Sequence, residues 1–372
     1  MLSPLRSLGR KAIIDSGVKS GTSPAKAEVS EKGPVAKKSE LWSAVGWSTL
    51  AFLGFGVQNF IIGYTNELPG EDFKRTIGFL WFGTGLCGLA TYASNMQLGV
   101  FYTDAAARSA TTSLSRSLLF DEASTPTKLS WFPKLVTLGG GVAAGCAQLF
   151  MKASFSEDPA AQGPLCSVVC ADVILVSVLC HFVYDERLTL GQWLSVLLVF
   201  GGLVIMAGLF DPTSIEPGVQ SGVSLMGIAY AILAMLCFGG SIFSARVVDS
   251  SGMAGVSASQ ARCLVLGAAS TPLLLAAHWE GRNMPISMPG LWLPLLCGLL
   301  QAGSVFAVSQ ALASGPYTSI SIAIFGSNSL VVLGLAALIS GQIPSISASI
   351  GMALTALGCV TVALTAEQPP AQ

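Results

Sequence analysis

The segment LAFLGFGVQNF at residues 50–60 returns as LAMLCFGGSIF at residues 233–243, with six of eleven positions identical. Both copies lie inside apolar tracts of 20 or more residues, long enough as helix to cross roughly 30 Å of hydrocarbon. Working outward from them, the chain divides into ten such tracts. They cover residues 41–64, 76–98, 135–155, 164–184, 190–209, 222–247, 258–278, 291–313, 317–340 and 346–366. Transmembrane strands need far shorter segments. The two copies open the first and sixth tracts, so each half holds five spans. An odd number reverses the second half relative to the first. The expected fold is an all-α integral membrane protein of ten transmembrane helices built as two inverted five-helix repeats.

More of the chain follows the same correspondence. Ala144-Gly145 answers Ala302-Gly303, and Lys152-Ala153 answers Gln310-Ala311. Gly163-Pro164 answers Gly315-Pro316, and Ser167 answers Ser319. The expected organisation is a disordered tail or transit segment over residues 1–40, a first repeat over 41–210, a second over 222–366, and a short tail over 367–372.

Composition supports a lipid-embedded chain. Of 372 residues 52% are hydrophobic and 10% charged, against about 25% charged in an ordinary soluble domain. A net charge of −1 offers nothing to nucleic acid. Trp42, Trp131, Trp193, Trp279 and Trp292 lie at tract edges, where an indole keeps its N–H among headgroups. With ten spans both termini share one side. That side receives eight basic residues from the tail together with Arg108, Arg116, Lys128, Lys134, Arg187, Arg246 and Arg262. The other side receives Lys74, Arg75, Lys152 and Arg282. Both termini are therefore expected in the cytosol. The first residues, MLSPLRSLGRKAII, lack acid. They fit the start of an organelle transit peptide, as into a plastid, as well as a cytosolic tail.

All nine cysteines fall inside apolar tracts, so no disulfide framework is expected. Cys166 and Cys170 share a helix face, but no second ligand pair accompanies them, and neither a metal nor a cofactor is expected. The chain contains no HExxH, paired-aspartate motif or serine with a histidine partner, which removes the usual equipment of an intramembrane enzyme.

The candidate binding residues are the polar groups placed deep in these tracts. Asp172 lies near the middle of the fourth, where a carboxylate costs roughly 2.5 to 3.5 kcal/mol to insert. Lys152 lies near the outer end of the third, with a flexible stem able to reach inward. An ion pair between them would grip a zwitterionic substrate or let Asp172 carry a proton; a static tie between two helices would look the same in sequence. Gln148 stands one turn before Lys152, and Gln58 and Asn59 follow the repeated Phe-Gly pair. In the second half the corresponding positions, Gln310 and the neighbourhood of Asn328, are polar and neutral. Each amide could equally be a helix-to-helix hydrogen bond. Arg246 and Arg262 are expected to snorkel to headgroups, and Glu186 with Arg187 to cap a tight turn.

The stretch GPLCSVVCADVILVSVLCHFVYDERLTLGQWLSVLLVFGGLVIMAG, residues 163–208, resembles the paired fourth and fifth helices of the drug/metabolite transporter superfamily, in its EamA-like branch. The ERLTLGQW junction carries much of the likeness. Its counterpart SGQIPSIS, residues 340–347, lacks the acidic residue. The resemblance implies a central cavity lined by the first four helices of each half, with the fifth and tenth peripheral. It also implies that the Lys-Arg pair of plastid phosphate exchangers, absent here, would be needed for a sugar phosphate.

The expected function is transmembrane carriage of a small organic metabolite by alternating access, with the site at the midplane between the repeats. A channel or small-ion carrier of related architecture, or a non-transporting receptor or assembly factor, are the alternatives. The expected partners are the small-molecule substrate, with or without proton coupling, and the lipid bilayer; a homodimer is compatible with the sequence.

Overall fold

A chain in hydrocarbon must bond its own backbone amides, and every regular element described here is a helix. The computed structural model describes residues 34–70, 72–97, 131–184, 190–206, 224–250, 255–280, 287–313, 321, 324–341 and 346–365. The helices are α1 (Pro34–Tyr64), α2 (Phe73–Gln97), α3 (Trp131–Glu157), α4 (Gln162–Cys170), α5 (Asp172–Tyr184) and α6 (Leu190–Met206). They continue with α7 (Leu225–Ser250), α8 (Gly255–Glu280), α9 (Met288–Ala313), α10 (Ser329–Leu335) and α11 (Ile346–Thr365). Short 3-10 turns follow α1 (Thr65–Glu67) and α3 (Pro159–Ala161), and a π turn, Ala336–Ser340, extends α10.

Two sequence expectations change. The tail expected over residues 1–40 gives its last residues to α1, which starts at Pro34. Proline suits a first helical position, and the Ala, Lys and Glu that follow are good helix formers. The fourth tract, expected as one span, is two helices broken at Ala171. Residues 1–33, the loop over 98–130, Glu186 with Arg187, Gly315-Pro316, Ser319 and the C-terminal tail lie outside the described residues.

Among the described residues, six helical segments are long and apolar enough to cross a membrane: Trp42–Glu67, Phe73–Ala93, Leu135–Glu157, Leu225–Ala245, Ser259–Glu280 and Met288–Ala311. Shorter apolar segments, Gln162–Val176, Trp193–Gly202, Ile324–Ser340 and Ser349–Gly358, fall in the remaining four tracts. Large apolar side chains such as Leu53, Leu86, Leu197, Phe200 and Leu338 face outward, while Gln58, Gln148 and Lys152 are buried. A water-soluble domain puts these classes the other way round. The architecture is compatible with a multi-pass membrane protein.

The packing pairs helices reciprocally. α1 packs on α9 as α7 packs on α3, α2 lies against α8, α6 lies against α11, and α4 meets α10. Several crossings bring backbone against backbone. A Cβ on Gly85 would lie 2.4 Å from Gly267 Cα, and one on Gly267 would lie 2.6 Å from Gly85 Cα. At another crossing, a Cβ on Gly202 would meet Gly351 O at 2.5 Å and Thr355 Oγ1 at 2.6 Å. One on Gly358 would meet Val199 Cγ2 at 2.6 Å and Ser195 O at 3.0 Å. Ser195, Val199 and Gly202 have the same spacing as Gly351, Thr355 and Gly358, so each triplet receives the other's glycine.

Two helix breaks share one hydrogen-bond pattern. At the first, Ala171 N–H donates to Val168 O (3.2 Å) and Ile174 N–H to Ala171 O (3.0 Å). At the second, Ser327 N–H donates to Ile324 O (3.2 Å) and Leu330 N–H to Ser327 O (3.1 Å). These are i to i−3 bonds, a local 3-10 tightening that interrupts the α ladder. They make Asp172 and Asn328 counterparts, one helical turn from the register that the Gly-Pro pairs suggest.

Replacing Gly85 or Gly267 by Ala is expected to destabilise the protein by about 1–3 kcal/mol, the usual cost of overpacking. Thermal unfolding in detergent checks this; an unchanged or higher Tm for both variants would contradict the crossing.

Candidate functional site

The interior holds polar side chains that lipid would exclude. Gln58, Gln148 and Lys152 are 0% exposed and Gln162 is 1% exposed. Helical period places Gln58 and Ile62 on one face of α1, with Thr65 in the turn just past its end, and Gln148 and Lys152 on one face of α3. The two faces meet. Lys152 Nζ donates to Thr65 Oγ1 (2.8 Å), to Asn66 Oδ1 and, at 3.4 Å, to the Ile62 carbonyl. Gln58 and Gln148 stand one turn further into the bundle. The Trp81 indole of α2 donates to Gln148 Oε1 (2.5 Å), and the Cys297 thiol of α9 donates to Gln58 O (3.3 Å). A Cβ on Gly63 would lie 2.2 Å from Gln162 Oε1, so only glycine leaves room there for the Gln162 amide.

Much of this polarity is unspent. Both amide atoms of Gln58 and of Gln162, Gln148 Nε2 and Asn66 Nδ2 are buried with no hydrogen-bond partner among the described residues. Each such atom costs about 1–3 kcal/mol against a bonded one. A cluster of them in a bundle wrapped by lipid suits a site that a polar guest completes.

A second polar group joins the two helix breaks. Asn59 Nδ2 donates to Asn328 Oδ1 (3.0 Å), which also accepts from the thiols of Cys170 (3.5 Å) and Cys166 (3.7 Å). Asn328 Nδ2 donates to Phe325 O (2.9 Å). Asp172 starts α5 at the other break, half-buried, beside the Val173 N–H that its carboxylate accepts. The breaks touch, for a Cβ on Gly326 would lie 2.7 Å from Val173 Cγ2.

Of the residues singled out from sequence, Gln58, Gln148 and Lys152 come together, and Asn59 joins Asn328. The expected ion pair between Lys152 and Asp172 is not formed among the described residues. Lys152 lies at the end of α3 beside the end of α1, where Thr65, Asn66 and a carbonyl are nearer than the break at mid-bundle. Gln310 does not share their location. It sits half-buried near the end of α9, one turn past Phe306, which stacks edge-on against Trp47 near the middle of α1 (6.1 Å). Arg262 points to its neighbours rather than to headgroups, donating to Ser244 Oγ (2.6 Å) beside Gly140.

Sequence reading missed Gln162, Thr65, Asn66 and Trp81. Gln162 had a signal: an amide immediately before Gly-Pro at the mouth of an apolar tract. Thr65 and Asn66 lie just past a tract end, where polar residues are ordinary.

Asn59 and Asn328 are expected to couple. In a double-mutant cycle with Asn59→Leu and Asn328→Leu the interaction energy should fall near 0.6 kcal/mol and not above about 1.7, the range for such bonds in membranes. Strict additivity of the two unfolding losses would contradict the bond.

No protein-family model matches the chain, and no curated protein matches it. Its fold is similar to that of a solved structure described only as a crystal structure of a protein, with TM-score 0.50 and 18% identity over 89% of this chain and 97% of that one. At that identity the likeness concerns the fold alone, and it extends over nearly the whole of both chains.

Proposed function

We propose that this chain is a transmembrane carrier that moves a small organic solute by alternating access. In this reading ten spans form two oppositely directed five-helix halves, both termini are cytosolic, and the chain is of the EamA-like drug/metabolite transporter kind. The reciprocal helix pairs, the interlocked glycine triplets and the matched hydrogen bonds at the two breaks support the two-half architecture. Broken helices near the midplane are where carriers of this design place their ligands.

The observation that carries the proposal is Gln58. It is fully buried on α1 with both amide atoms unpartnered among the described residues. A structural amide would be bonded to a neighbouring helix. On one side of it, Trp47 and Phe55 pack with Ala51, Ala307 and Phe325 into an apolar plug. On the other, Lys152 is fastened to Thr65 and Asn66, and Lys74 pairs with Glu280 (2.5 Å). In this reading the carrier is occluded, with Asp172 and Asn328 at the two helix breaks.

Proteoliposomes containing the full chain should accumulate at least one solute from a panel of small metabolites. Gln58→Leu should slow that uptake about tenfold, the worth of roughly one hydrogen bond to substrate. Asp172→Asn should alter its rate or its pH dependence. Absence of uptake across the panel, or wild-type uptake by both variants, would overturn the proposal.

A further inference from the structure

We infer that the solute carries a cationic nitrogen that pairs with the Asp172 carboxylate, an assignment that rests on the carrier reading above. Helical phase directs that carboxylate into the bundle. On α5, Val173 meets α10, where a Cβ on Gly326 would lie 2.7 Å from its Cγ2. Leu175 meets α7, where a Cβ on Gly239 would lie 2.7 Å from its Cδ2. At about 100° per residue Asp172 lies between those two directions, on the side of Val176. Val173 is 1% exposed and Val176 is 6% exposed. Asp172, flanked by them, is half-buried, so its open side is a gap within the bundle and not lipid.

Among the described residues the Val173 N–H is the one partner of that carboxylate. Lys152, Arg262 and Lys74 are held elsewhere, by Thr65 and Asn66, by Ser244 and by Glu280. The counterpart position shows what is missing. A Cβ on Gly56 would lie 2.3 Å from Val331 Cβ, so Gly56 meets Val331 as Gly239 meets Leu175, and in the two-half reading this sets Asp172 against Asn328 a second time. Asn328 is bonded to Asn59, Cys166 and Cys170. The residues that answer those three are Ile242, Ile322 and Gly326, and none has a polar side chain. A carboxylate so placed is costly in a bundle wrapped by lipid, and a guest of opposite charge offsets the cost. The number of acceptors selects the guest. A divalent ion asks for about six oxygens, and a primary ammonium has three donors to satisfy. A secondary or tertiary ammonium has fewer N–H groups, which one carboxylate serves, and its carbon substituents fit the apolar flank of Val173, Leu175 and Val176.

The test uses the full chain, purified in detergent and reconstituted, with small secondary and tertiary amines each offered, in its charged form, beside the ether of the same shape. Amines are expected to raise Tm and to be taken up, while the matched ethers do neither. Asp172→Asn should weaken amine binding about tenfold and abolish the preference over ethers, and Asp172→Glu should keep it. If Asp172→Asn fails to fold, Asp172→Ser takes its place. Equal binding of amines and ethers, or an amine preference that survives Asp172→Asn, overturns the amine assignment and leaves the carrier proposal standing. So does uptake of neutral solutes alone with a pH dependence that Asp172→Asn removes, which would make Asp172 a proton site. The side chain of Arg246, two turns beyond Gly239 on α7, lies outside the described residues. Stability losses of Arg246→Gln and Asp172→Asn that fail to add would make Arg246 the partner and overturn the assignment too. Amine binding that depends on Asp172 without uptake of any solute leaves the pairing standing and overturns the carrier.

Discussion

Between helices in lipid there is no hydrophobic force to speak of, because a tail of hydrocarbon is as good a neighbour as leucine. Association depends on backbones approaching closely enough for dispersion to accumulate. In this chain that approach is made at Gly85 against Gly267 and at Gly202 and Gly358 against each other's helices. The polar interior depends on it. Inside the bundle Lys152 meets Thr65 and Asn66, and Gln58 and Gln148 are fully buried.

Direction sorts the polar residues into those that meet and those that do not. When two halves run oppositely, positions that correspond near a helix end go to opposite faces of the bundle. In the proposed two-half reading Lys152 and Gln310 are such a pair: the first lies by the end of α1, the second one turn past Phe306, which meets Trp47 near the middle of α1. Positions that correspond near the middle stay together. Asp172 and Asn328 are of this kind, each at a break and each in reach of the other's helix. A symmetric site can form only from the second class, so the charged end of the cluster around Lys152 has no like partner.

The helical class, the apolar tracts and most of the buried amides were legible because hydropathy and the 3.6-residue period act locally. Lys152 was found as a charge near the end of an apolar tract, Gln148 by its place one turn before it, and Gln58 by its place after the repeated Phe-Gly pair. Their partners were not, since Thr65 and Asn66 sit in a 3-10 turn whose position depends on where α1 stops. The break at Ala171 was hidden for a related reason. Alanine and valine around it favour helix or tolerate it, and the interruption comes from 3-10 bonding with Asp172 at its edge, which composition does not signal. The Gly-Pro pairs suggested a register one turn away, because Gly and Pro recur at tract starts wherever a chain turns back.

The matched breaks carry different residues, an acid in one and its amide in the other. A dimer of a single five-helix unit would have to place the same side chain at both, and two carboxylates crowded together disfavour ionisation of both at once. Two neutral amides would give up the charge altogether. In the proposed two-half reading, joining the halves in one polypeptide frees each position to change alone, so an acid at one break can stand opposite its amide at the other.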